Sequence, residues 1–162
     1  MKFKYEITSK NILKHQYYGT KDVPFYDIEK SIDSYTYVVS TKESCIKILI
    51  DFFDAPESKL DVDAAKKMFS HINVGEIKDE TIWMNVCTYY NIRKDLFDET
   101  LCEIEKIDKL FEYHNVTYVT IRKDIPYEAN HIDFHPEIKI DYPFGSEDNE
   151  ESYIEVKVSK YE

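Results

Sequence analysis

The 162 residues carry 21 Lys and Arg against 32 Asp and Glu, a formal net charge of −11 with histidines neutral. That balance opposes direct contact with nucleic-acid phosphates or with an anionic lipid surface. With 43% hydrophobic and 15% aromatic residues, three glycines and five prolines, the composition predicts one globular domain over 1–162 and excludes global disorder.

No stretch approaches the roughly 18 apolar residues of a membrane span. The opening "MKFKYEITSK" has no apolar run behind its lysines and does not read as a secretory signal. Cys45, Cys87 and Cys102 make an odd set without Cys-x-x-Cys spacing, each among apolar residues. This predicts reduced, buried thiols and a cytoplasmic protein.

In chain order, "KFKYEIT" (2–8) alternates as a strand, and 9–34 shows no clean period and reads mostly as loop. "YTYVVS" (35–40) is a strand by its β-branched and aromatic content. Ser40 followed by Glu43 fits a capping box ahead of 45–53. There the apolar residues fit both a helical and an alternating pattern, and the helix is preferred. "DVDAAKKMFSHI" (61–72) reads as a helix capped by Asp61, and 79–91 as a second. A third spans 95–114, with Phe97, Leu101, Ile104, Asp108 and Phe111 at alternating spacings of three and four. The last third alternates at 116–123, 131–142 and 152–161, which predicts an antiparallel meander. The expected fold class is α+β: a mostly antiparallel sheet with a helical middle segment, about 61–114, packed on one face.

In "HIDFHPEIKIDY" (131–142), Ile132, Phe134, Ile138, Ile140 and Tyr142 fall on even positions, and His131, Asp133, His135, Glu137, Lys139 and Asp141 on odd ones. Alternation sends the even set to the core and the odd set outward. His131, Asp133 and His135 at i, i+2 and i+4 have ligand chemistry for a metal, but a polar row on a half-exposed strand has the same pattern. His114 is the nearest additional donor, and His15 and His71 have no evident partner. There is no Gly-rich phosphate loop, no G-x-S-x-G and no Walker motif. The expectation is a non-enzymatic protein without a cofactor.

Charge is unevenly placed. From Asp124 to Glu155 there are ten acids and one base, Lys139, so this stretch contributes 1 − 10 = −9. Such a cluster costs stability through repulsion and suits a surface that steers a basic partner. Tyr127, Tyr153 and Tyr161 lie in or beside it, and tyrosine is favoured at interface hot spots. The expected partner-binding residues are Asp133, Glu137, Asp141, Glu147, Asp148, Glu150, Glu151, Tyr153 and Glu155. The profile predicts an acidic inhibitor of a basic protein partner, such as a nuclease toxin or immune effector: an immunity protein or phage anti-defence inhibitor imitating nucleic acid. The alternatives are a small metal-dependent or ligand-binding enzyme using His131, Asp133 and His135, and a non-catalytic subunit of a larger assembly.

Overall fold

The computed structural model describes residues 2–17, 27–71, 80–130, 132 and 152–161. The elements are β1 (Lys2–Tyr17), β2 (Asp27–Val39), α1 (Lys42–Phe53), α2 (Val62–Met68), α3 (Glu80–Glu105), α4 (Ile107–Tyr113), β3 (Tyr118–Ile125), α5 (Tyr127–Asn130) and β4 (Ser152–Tyr161). The four strands form one antiparallel sheet in the order β2-β1-β4-β3. The helices pack on one of its faces, so the fold is α+β.

Alternation fixes which face that is. Tyr5 and Ile7 of β1, Ile121 and Ile125 of β3, and Ile154, Val156 and Val158 of β4 are buried. They meet Cys45, Leu49 and Phe53 of α1, Phe97 and Ile104 of α3, Ile107 and Phe111 of α4, and Ala129 of α5. Each fully buried Leu, Ile, Val or Phe contributes about 1.5–3 kcal/mol relative to exposure. A smaller cluster joins Ala65 of α2 to Trp83, Val86, Cys87 and Tyr90 of α3, with Ile132 packed against it.

Local chemistry sets the helix ends. Thr41, in extended backbone, accepts from the Ser44 N–H at 3.2 Å and caps α1. Asp54 closes α1 in the left-handed region at φ 47°, and its N–H donates to the Ile50 carbonyl at 3.1 Å. An aspartate tolerates that conformation better than a bulkier residue. The Asp61 carboxylate accepts from the Ala64 N–H at 2.6 Å and starts α2.

Several expectations are corrected. The cap of α1 is Thr41 rather than Ser40. The loop expected over 9–34 is largely sheet: β1 continues to Tyr17 and β2 begins at Asp27, paired from Tyr5↔Val39 through to Tyr17↔Asp27. The helices expected at 79–91 and 95–114 are one helix to Glu105 followed by α4. Asp108 is exposed and ion-paired rather than part of the apolar stripe. Cys45 and Cys87 are buried, but Cys102 is exposed, because it lies off the face carrying Phe97 and Ile104. β4 has β1 on one side and β3 on the other, so the expected meander, with 131–142 between 116–123 and 152–161, is not the order of this sheet. Apart from Ile132, that stretch lies outside the described residues.

Candidate binding face

Ile12 is the junction on which the acidic stretch hangs. β1 pairs with β4 from Lys2↔Tyr161 to Lys10↔Tyr153, and β4 begins one residue further on, at Ser152. At this end of the pairing, side chains bond the backbone of β1. The Ile12 N–H donates to Ser152 Oγ at 2.9 Å, and Asn130 Nδ2 donates to the Ile12 carbonyl at 2.7 Å. Asn130 and Ser152, at the two borders of the acidic stretch, therefore meet at one and the same backbone residue. Serine and asparagine suit the task because each has a short polar group that can satisfy a strand's free amide or carbonyl. Asp133, Glu137, Asp141, Glu147, Asp148, Glu150 and Glu151 lie between these two points, outside the described residues, as do His131 and His135.

Tyr153 and Glu155 lie on the sheet face opposite the helices. Register sets Lys10, Tyr153 and Asp124 in one row, Thr8, Glu155 and Arg122 in the next, and Glu6, Lys157 and Thr120 in a third. The Arg122 guanidinium lies 4.1 Å from the Tyr153 ring centre and bonds Asp124 at 2.9 Å, while Lys10 approaches the same ring at 6.0 Å. Lys157 sits 4.7 Å from the Tyr118 ring, and Lys4 pairs with Glu6 at 3.2 Å. Over these three rows, Lys10, Arg122 and Lys157 stand against Glu6, Asp124 and Glu155, so 3 − 3 = 0. Tyr153 and Glu155 thus sit in a mixed-charge, cation–π setting. Sequence reasoning missed Arg122 and Lys10, since only the strand register brings them to Tyr153.

A second acidic surface lies on the helices. Residues 95–112 expose Asp95, Asp98, Glu99, Glu103, Glu105, Asp108 and Glu112 against Lys106 and Lys109, so 2 − 7 = −5. Bases from neighbouring elements offset part of it. Lys123 of β3 reaches Glu99 at 3.6 Å and Glu103 at 3.0 Å, and Lys42 of α1 reaches Glu105 at 3.7 Å and Asp108 at 3.9 Å. Each of these half-buried lysines is shared by two exposed carboxylates, which leaves each group net negative.

Of the other residues singled out by sequence, Tyr127 opens α5, and Tyr161 is exposed at the end of β4. His114 is exposed at the end of α4, and His71 is exposed with its ring 6.4 Å from that of Phe69. His15 lies in β1, opposite Glu29. Among the described residues, no three His, Cys, Asp or Glu are grouped as a metal site, and no helix is long and apolar enough to cross a membrane. No protein-family model matches this chain, and no significant match to a curated protein or to a solved structure was found.

Proposed function

We propose that this chain is an acidic binding protein that neutralises a basic partner in the cytoplasm, of the toxin-immunity or phage anti-defence kind. The partner is a nuclease or another nucleic-acid-binding protein, whose cationic cleft the carboxylates occupy in place of phosphates. The observation that carries this reading is the pinning of an acidic stretch at a single point. Most of the −9 charge of 124–155 is written between Asn130 and Ser152, and both of these hold Ile12. Long connections held at both ends by a rigid scaffold are common carriers of binding function. The acidic surface of α3 and α4 adds a field of the same sign, which speeds encounter with a cationic protein.

The test uses the product of the neighbouring gene. Expressed alone it should be toxic, and co-expression of this chain should relieve the toxicity. The on-rate between the two purified proteins should fall steeply as salt rises from about 50 to about 500 mM, because exposed charges are screened beyond about 10 Å at 0.1 M. Charge reversal at Asp133, Glu137 and Asp141 should weaken binding strongly. Normal binding by that variant at every salt concentration would sink the proposal for the acidic stretch.

A further inference from the structure

The two edges of the sheet are built differently. β3 carries Arg122, Lys123 and Asp124 in succession, and charge on an edge discourages pairing with another chain. β2 has no charge from Ser34 to Val39, where it reads "SYTYVV". It also exposes apolar side chains on both faces. Ile32 (51%) and Val38 (58%) lie on the open face, and Tyr35 (56%) and Tyr37 (49%) on the helical face. Tyr37 touches Phe52 of α1, with ring centres 5.6 Å apart, yet stays half exposed. A strand apolar on both faces is the pattern of a sheet interior. Among the described residues, no strand pairs with the outer side of β2.

We propose that the outer edge of β2 pairs with the same edge of a second copy, antiparallel about a two-fold axis through Tyr35 and normal to the sheet. The product is one eight-stranded sheet with both helical layers on the same side. This goes beyond the acidic-surface reading and does not depend on it.

The sequence of β2 is self-complementary in this register. Directly opposed residues in an antiparallel pair point to the same face, so a two-fold relation joins only positions of like parity. Centring on Tyr35 sets Ile32 opposite Val38 of the second copy, Ser34 opposite Thr36, and Asp33 opposite Tyr37, each twice. Apolar meets apolar, and the Asp33 carboxylate meets a phenol rather than a second acid. The Thr8–Thr36 hydroxyl pair, at 3.1 Å, is extended by Ser34 of the second copy. Centring one residue to either side instead sets both Ile32 and Val38 against polar residues. Charge supports the same occupant. Two chains of −11 repel over most of their surfaces, whereas 34–39 is neutral and the sheet face beside it is balanced.

The test is the mass of the full chain in solution, by light scattering and sedimentation. At about 100 μM, where a dimer of micromolar Kd is mostly assembled, the particle should weigh twice 19.3 kDa. Val38→Lys should return it to 19.3 kDa with an unchanged circular dichroism spectrum, since Val38 is exposed in the single chain. In a Cys102→Ser background, Tyr35→Cys should form an intermolecular disulfide under mild oxidation, while Tyr118→Cys on the opposite edge should not. A wild-type protein that stays at 19.3 kDa overturns the proposal. So does a dimer that survives Val38→Lys and fails to cross-link through Tyr35→Cys.

Discussion

From Trp83 to Tyr90, α3 packs on α2 and its flanking residues, whereas from Phe97 to Ile104 it packs on the sheet and on α1, α4 and α5. One stripe serves both halves: Trp83, Val86, Tyr90, Arg93, Phe97, Thr100 and Ile104 follow each other at alternating spacings of three and four and are all buried. The difference lies in what backs the stripe. A seven-residue helix offers little area, and a four-stranded sheet offers much, so the two halves should differ in local stability although they share a backbone. Arg93 stands at the junction. Its guanidinium donates to the Phe52 carbonyl at 2.7 Å, to the Phe53 carbonyl, and to the Ala129 carbonyl at 2.9 Å, and it lies 5.2 Å from the Tyr89 ring. A buried cation at the carbonyl end of α1 is favoured by the helix dipole. It joins α1, α3 and α5 in one network.

Removing that junction should have the largest effect. Arg93→Met strands three carbonyls and should lower unfolding stability by about 3–5 kcal/mol, measured by urea denaturation. Arg93→Lys should recover little of it, because an ammonium cannot reproduce the planar fork. A loss near zero would show that the network does not join the halves.

The second comparison truncates one residue in each core. Leu49→Ala, in the sheet-backed core, should cost about 3 kcal/mol of global stability. Trp83→Ala removes a larger side chain, yet should cost only ~1–2 kcal/mol globally, because the small core can open by itself. Its loss of hydrogen-exchange protection should be confined to α2 and the first half of α3. Equal global costs would mean that the halves open as one unit.

Alkaline pH should weaken both cores. Burial pushes the Cys45 thiol up from 9.0 to about 12 and, with Asp54, the Tyr90 phenol up from 10.0 to about 12. In each case the folded state holds its proton more tightly than the unfolded chain does. The contribution is therefore complete below pH 9 and is lost as pH rises from 9 to about 12. Unfolding free energies measured across that window should fall steadily, and less so in Cys45→Ala than in the parent. A flat profile would contradict the burial of these groups.

The smallest effect separates the halves without altering them. A thiol reagent should label Cys102 at once in the native protein, Cys87 on opening of the small core, and Cys45 only on global unfolding. Equal rates for Cys87 and Cys45 would again mean one cooperative unit.

How far sequence reached follows the same physics. β4, α2 with its Asp61 cap, and the assignment of α1 as a helix were legible, because burial on one side writes a period into the residues. The continuity of α3 was not, because a search restricted to apolar residues breaks at Arg93, although it crosses the buried Thr100 by way of Phe97, Leu101 and Ile104. Thr100 keeps its place by donating to the Leu96 carbonyl at 2.7 Å. The extension of β1 past Thr8 and of β2 ahead of Tyr35 was missed for a different reason: its order resides in backbone pairing, and "SKNILKHQY" carries no period of two. Of the expected binding residues, alternation placed Tyr153 and Glu155 on the open face of β4. Their neighbours Arg122 and Lys10 come from strands distant in sequence, and no local pattern encodes that register.

The hold on Ile12 from both sides has a further consequence. Both bonds run from a side chain at a border of the acidic interval to main-chain atoms of a residue 118 or 140 positions away in sequence. Ile12 can therefore be exchanged for any residue that keeps its N–H without loss of either bond, whereas Asn130 and Ser152 cannot be exchanged for residues lacking an amide or a hydroxyl. The two borders are thus written in side-chain chemistry, and the strand that receives them is written only in its backbone.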